Sequence, residues 1–165
     1  MDSREIKNYS GNCGPIAVQL LTGRTDGEVL DVCLANGFKR GMTTIAACRS
    51  LQMFNKKVTE VDIRNREREE EERAKNSDAR NNATFKMDRY GWRARPTKYF
   101  RHSLDKPTVR QFAETHQTGS YLITVSGHFL VVIDGKIIDK NFERHKGGTR
   151  LRMKVFLAHQ VEDIS

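Results

Sequence analysis

The run Ser120–Asn141 constrains the fold of this chain more than any other stretch. Ser120–Val125 reads as a compact apolar strand that begins directly after Gly119, and His128–Ile133 and Lys136–Asn141 flank the dipeptide Asp134-Gly135. Asp-Gly accepts the left-handed backbone that a two-residue hairpin turn demands, so the flanking segments must run antiparallel. The N-terminal third reads differently. Gly14-Pro15 opens a helix near 15–22, where the missing proline N–H would have no partner anyway. Thr25 or Asp26 caps a second helix over about 26–36 that ends at Asn36-Gly37, and Gly41-Met42-Thr43-Thr44 leads into a third over about 43–54. Lys57–Ile63 alternates Val58, Thr59, Val61 and Ile63 as a first strand. Lys106-Pro107-Thr108 starts a helix over about 108–116 with Val109, Phe112 and Ala113 on one face, and Arg150–Gln160 is expected as a last strand. Helices first and an antiparallel sheet afterwards make the expected class α+β.

At 165 residues the chain is expected to form one domain, 1–165, carrying a polar charged insertion over about 64–102. Within that insertion Arg66-Glu67-Arg68-Glu69-Glu70-Glu71-Glu72-Arg73 has no apolar face to bury. No stretch reaches the apolar length of a transmembrane helix, and Met1-Asp2-Ser3-Arg4-Glu5 lacks the core of a signal peptide. The expected setting is therefore cytoplasmic, with no membrane partner.

The three cysteines, 13, 33 and 48, contain no C-x-x-C pair, and no zinc-ligand spacing appears, so neither metal nor cofactor is expected. Cys33 and Cys48 lie inside apolar helical patterns and read as core thiols. Cys13 stands apart, at a loop-to-helix junction in Asn12-Cys13-Gly14-Pro15. A free thiol is mostly protonated at neutral pH; a helix N-terminus and an adjacent imidazolium both favour the thiolate. The helix start supplies the first. His128, at the head of a hairpin strand, is the candidate for the second. The same helix start offers backbone N–H groups to an oxyanion, Asn8 or Asn12 could add a side-chain donor, and Gly14 would let a substrate approach the backbone closely.

Counting outward from a two-residue turn at Asp134-Gly135, Ile133 faces Lys136, Leu130 faces Asp139 and His128 faces Asn141. Opposed residues share a face, as do residues two apart. His128, Asp139 and Asn141 would then project from one side, and a catalytic imidazole needs such an oxygen to hold its second nitrogen. Asp139 is the preferred orienter and Asn141 the alternative.

Asn12-Cys13-Gly14-Pro-x-Ala at the head of a helix is similar to the nucleophile motif of papain-like (C39-like) cysteine peptidases. The nearer likeness is to small phage proteins of that superfamily. It rests on Cys13, Ala17, Thr22 and Gly23; on Glu28 and Val29; on Gly41 and Thr43; and on Pro107, Thr108, Gly119, Tyr121, Gly127, His128, Asp134, Gly135 and Asp139. The resemblance covers roughly 8–62 and 106–158. It implies a papain-like fold, a cysteine-nucleophile hydrolase acting on a protein or peptide, a host protein among the options, and the host cytoplasm as the setting. It also implies Cys13 as nucleophile, His128 as base and Asp139 as orienter. One departure is that the glutamine papain relatives place shortly before the cysteine is missing here; Asn8 lies in about that region.

Lysine and arginine number 29 against 21 acids, a formal charge of +8, which suits nucleic acid or another anionic partner. The stretch 84–102 interleaves Phe85, Tyr90, Trp92, Tyr99 and Phe100 with basic residues, among them Arg93, Arg95 and Lys98. Such a pattern either packs its rings onto the domain or grips phosphates while bases stack. The alternative to an enzyme is an inactive binding module on a papain-like peptidase scaffold, for nucleic acid, as the second reading suggests, or for a host protein.

Overall fold

The computed structural model describes residues 3–63, 74, 85–88, 91–94, 106–140, 142–143 and 149–164. The chain divides into two compact units, one formed by Met1–Asp62 with Thr108–Ser165 and the other by Ile63–Pro107. In the first unit, a short 3-10 turn, Ile6–Asn8, precedes helices α1 (Cys13–Thr22), α2 (Asp26–Ala35) and α3 (Thr44–Met53) and strand β1 (Lys56–Glu60). The second unit holds strands β2 (Phe85–Asp88) and β3 (Gly91–Ala94), an antiparallel pair in register Phe85↔Ala94 to Asp88↔Gly91. The first unit resumes with helix α4 (Val109–Thr115), strands β4 (Ser120–Val125), β5 (His128–Ile133), β6 (Lys136–Asp139) and β7 (Phe142–Glu143), helix α5 (Thr149–Arg152) and strand β8 (Leu157–Asp163).

The class is α+β. Six strands form one open sheet in the order β1-β8-β4-β5-β6-β7, every neighbouring pair antiparallel. The helix limits follow local chemistry. Thr25 accepts from the Glu28 N–H while the Glu28 carboxylate accepts from the Thr25 N–H, a reciprocal cap for α2. Thr108 and Gln111 repeat it at α4. α1 ends at Gly23, whose φ of 68° is open to glycine and whose N–H donates to the Gln19 carbonyl at 2.8 Å.

β4 and β5 are buried on both faces, and each face has its own helical cover. Leu122, Phe129 and Val131 on one side join Ile16, Val18, Val29, Leu51 and Val161 in the main core with α1, α2 and α3. The alternate residues Tyr121, Ile123, Leu130 and Val132 face the other way. There Phe112 of α4 meets Tyr121 edge-on at 5.3 Å, with His116 stacked on Phe112 at 3.9 Å. Phe112 is wholly buried, a contribution of about 1.5–3 kcal/mol for such a side chain.

Two expectations require correction. Arg150–Gln160 is not a single strand: its first residues belong to α5, Met153 accepts from the Val109 N–H, and the strand begins only at Leu157. β6 ends at Asp139 rather than continuing to residue 141, because Lys140 adopts φ 57° and Asp139 already pairs with Phe142 of β7. No helix among the described residues is long and apolar enough to cross a membrane.

Candidate active site

Cys13 is the first residue of α1, with Asn12 as its non-helical cap. Ile16 is the first residue of the helix whose N–H finds an intrahelical acceptor, the Asn12 carbonyl at 3.0 Å, and Pro15 has no N–H. The N–H groups of Cys13 and Gly14 are thus the ones this helix start leaves without an intrahelical acceptor. The Gly14 N–H helps to favour the thiolate form of Cys13.

The start of α1 is held in place by its neighbours. The Ile6 N–H donates to Asp26 Oδ2 at 2.8 Å, the Gln19 amide donates to Asp26 Oδ1 at 2.6 Å, and Asn12 Nδ2 donates to the Ile6 carbonyl at 3.1 Å. The Asn12 amide is therefore engaged in tethering the 3-10 turn and does not line the cleft beside Cys13. Asn8, exposed at the end of that turn, does not line it either. Neither asparagine stands as the oxyanion donor that the sequence suggests. A Cβ on Gly14 would lie 2.7 Å from the Met42 sulfur, so its bareness serves close packing of Met42.

His128 opens β5 and is 8% exposed. Its Nε2 lies 2.6 Å from Asp139 Oδ1, and Asp139 is 3% exposed at the end of β6. With Nε2 taken, Nδ1 is the ring nitrogen left for the Cys13 thiol, which lines the same cleft and whose nearness raises the imidazole pKa. The structure thus brings Cys13, His128 and Asp139 into one connected chain, from two strands of a hairpin and one helix start. Asn141, the alternative orienter, lies outside the described residues, as do Arg95 and Lys98; Arg93 falls within β3 of the second unit. Among the described residues, no group of three or more His, Cys, Asp or Glu side chains is placed to hold a metal ion.

The backbone N–H of Phe129 also favours the thiolate form of Cys13. Its availability has a topological cause. The turn at Ser126-Gly127 makes Val125↔His128 the closing pair of the β4–β5 hairpin, so alternation sends the Phe129 N–H to the opposite edge. On that edge the β5–β6 ladder ends at Val131↔Ile138. Counting on from there, Lys140 would face Phe129, but its left-handed backbone turns the chain away. Cys13 takes the vacated edge.

These contacts set the charges. Burial alone pushes the Cys13 thiol up, but the hydrogen bond from His128, the N–H groups of Phe129 and Gly14 and the attraction of the imidazolium together bring it below the ordinary thiol value. Burial likewise presses His128 down, and its hydrogen bonds to Cys13 and Asp139 outweigh that, leaving it above the ordinary imidazole value. The opposite shifts favour a thiolate–imidazolium pair. Cys33 and Cys48 behave otherwise: burial pushes each up to about 11.

A cleft of about 290 Å³ opens beside the thiol, walled by the Arg40–Thr44 loop, the Thr124–Phe129 hairpin and Gly11. Gly11 has φ 63°, and a Cβ on it would sit 1.8 Å from the Arg40 carbonyl oxygen, so glycine at 11 is what lets this loop close on the start of α1. Sequence reasoning missed Gly11, the Phe129 N–H and Met42. A glycine two residues before a candidate nucleophile was a readable signal for the first; the other two depend on tertiary contacts. Comparison of the chain with protein-family models, with curated proteins and with solved structures finds no match.

Proposed function

We propose that this protein is a cysteine-nucleophile hydrolase of papain-like type, acting on an amide or related acyl bond of a protein or peptide. The reading rests on one observation above all: Cys13 shares its cleft with an imidazole that favours the thiolate and whose Nε2 is held at 2.6 Å by a buried carboxylate. Such a constellation activates a sulfur and moves a proton, and a purely structural thiol has no use for it.

In the proposed reaction the Cys13 thiolate attacks the carbonyl carbon, forming a C–S bond and leaving the carbonyl electrons on oxygen. The N–H of Cys13, which has no acceptor within the helix, is the backbone donor offered to that oxyanion. Collapse breaks the C–N bond, and the departing amine takes its proton from His128. Water then attacks the thioester and gives its proton to the same imidazole; collapse releases the carboxylic acid product and regenerates the thiolate. Asp139 keeps Nε2 protonated throughout, so that Nδ1 exchanges the proton with sulfur, amine and water. Peptide hydrolysis, deamidation and acyl transfer to another amine share these steps.

Iodoacetamide tests the reading. A thiol with a value near 11 is about 10⁻⁴ ionised at neutral pH, so Cys13 is predicted to be carboxamidomethylated at least a hundredfold faster than Cys33 or Cys48. Mass spectrometry of peptides from briefly labelled protein would show it. Labelling of Cys13 no faster than the other two refutes the assignment.

A further inference from the structure

The cleft beside Cys13 is lined by a charge that the proposed chemistry does not use. Arg40 contributes it, from the loop that leads into α3. That loop is fixed from two sides: the Arg40 carbonyl oxygen closes on Gly11, and Met42 packs on Gly14. The two glycines flank Cys13, and the Gly11 Cα lies at most about 7 Å from the Cys13 Cα. Arg40 is therefore carried by a pinned stretch of backbone next to the nucleophile. Its side chain is exposed and, among the described residues, has no ion-pair or hydrogen-bond partner. Arg4, Arg24 and Arg110, by contrast, are each paired with a carboxylate.

Nothing in the cleft balances that charge. Among the described residues no aspartate or glutamate lines it, and Asp139, the counter-ion of His128, is buried and lies outside the lining. The Cys13 thiolate is the one negative group, and the imidazolium beside it offsets it. That thiolate is favoured by His128 and by the N–H groups of Phe129 and Gly14, so the Arg40 charge is left for a ligand. The remaining polar lining donates. The Thr43 hydroxyl oxygen accepts from the Ala46 N–H at 3.1 Å, which leaves its O–H free to donate. The hydroxyls of Thr44 and Thr124, 3.4 Å apart, share one hydrogen and leave the other over. A guanidinium with hydroxyl donors and no competing carboxylate is complementary to a carboxylate, the group whose two oxygens match its fork. A basic side chain in the same place would meet like charge.

We propose that Arg40 makes this site selective for polypeptides with an acidic side chain at the bond Cys13 attacks, carried by the residue that bears the attacked carbonyl or by the one before it. The inference rests on the cysteine-hydrolase reading, and its test separates the two. Chloromethyl ketones that alkylate Cys13 serve as probes in two pairs, acetyl-Asp against acetyl-Asn and acetyl-Asp-Ala against acetyl-Asn-Ala. The members of a pair have nearly the same shape and differ in charge. At low ionic strength the Asp reagent of at least one pair is expected to react about two- to fivefold faster, as an exposed charge pair allows. In about 1 M salt, where screening acts within roughly 3 Å, the preference should fall to near one. Arg40→Gln should remove it, Arg40→Glu should reverse it and Arg40→Lys should keep part of it. All three change an exposed side chain and leave the carbonyl contact with Gly11 in place. Uncharged iodoacetamide reports the thiol alone. Asp reagents no faster than their Asn counterparts, at a Cys13 that reacts rapidly with iodoacetamide, overturn the role of Arg40 and leave the thiol reading standing. So does a preference that persists unchanged in 1 M salt or in Arg40→Gln. A Cys13 inert to iodoacetamide and to all four ketones overturns both proposals.

Discussion

Replacing Asp139 by asparagine isolates the contribution of one buried charge, because the substitution keeps the shape and leaves an oxygen able to accept from His128 Nε2. The pair is 2.6 Å apart and both residues are buried, so solvent screens little of the interaction. A hydrogen bond to an ionised partner contributes about 1.5–3 kcal/mol and a neutral one about 0.5–1.5. The difference, roughly 1–1.5 kcal/mol, corresponds to about a tenfold loss of the thiolate–imidazolium pair. The prediction is that Asp139→Asn slows iodoacetamide labelling of Cys13 about tenfold at neutral pH and moves the pH–rate midpoint upward. At strongly alkaline pH the two proteins should converge, since the thiol there ionises without help. Stability gives an independent reading. His128 sits above the ordinary imidazole value of 6.5, so its contribution to folding is fully present below that pH and fades as pH rises through its folded value. Urea titrations should therefore show the greatest loss for Asp139→Asn below pH 6.5 and the least in alkali. A pH–rate profile that superimposes on the wild type would refute the assignment of Asp139 as the group that holds the imidazole charged.

Two more perturbations address how the cleft is built. Gly11 and Gly23 have similar φ values, 63° and 68°, but a Cβ would lie 1.8 Å from the Arg40 carbonyl oxygen at the first and touch nothing within 4 Å at the second. Gly23→Ala is predicted to cost only the left-handed penalty of about 1–2 kcal/mol, whereas Gly11→Ala adds an overpacking cost of about 1–3 kcal/mol and alters Cys13 labelling by displacing the Arg40–Thr44 loop; equal urea midpoints for the two variants would show the contact to be unimportant. Lys140→Gly, which suits φ 57°, is expected to leave Cys13 reactivity unchanged, while Lys140→Val disfavours the left-handed turn and should raise the Cys13 titration midpoint by returning the Phe129 N–H to a ladder partner. Ultraviolet titration of the thiolate distinguishes these outcomes, and identical midpoints for the two Lys140 variants would contradict the proposed role of that N–H.

Lys140 also explains why the site was only half legible in the sequence. Asp134-Gly135 announces its turn through residue types that favour left-handed backbone, so Ile133↔Lys136 and the shared face of His128 and Asp139 follow by counting. Counting further predicts pairs through Leu130 and Phe129, and there it stops agreeing with the structure. Lysine carries no turn signal; its left-handed backbone is imposed by the chain reversal into β7, a two-residue strand that periodicity cannot detect. The helices were legible for the opposite reason, since Thr25, Thr108 and Gly23 act through their own side chains or lack of one, within a turn of the residue they cap. The oxyanion candidates failed because residue type does not say which acceptor an amide will choose: Asn12 has the chemistry, but the Ile6 carbonyl takes its nitrogen. The parts of the site that sequence conceals are thus backbone groups released by a broken pattern. A longer β5–β6 ladder would have paired the Phe129 N–H and made a more regular sheet. It would also have closed the edge that Cys13 occupies, so the irregularity at Lys140 is what gives the thiol its place beside His128.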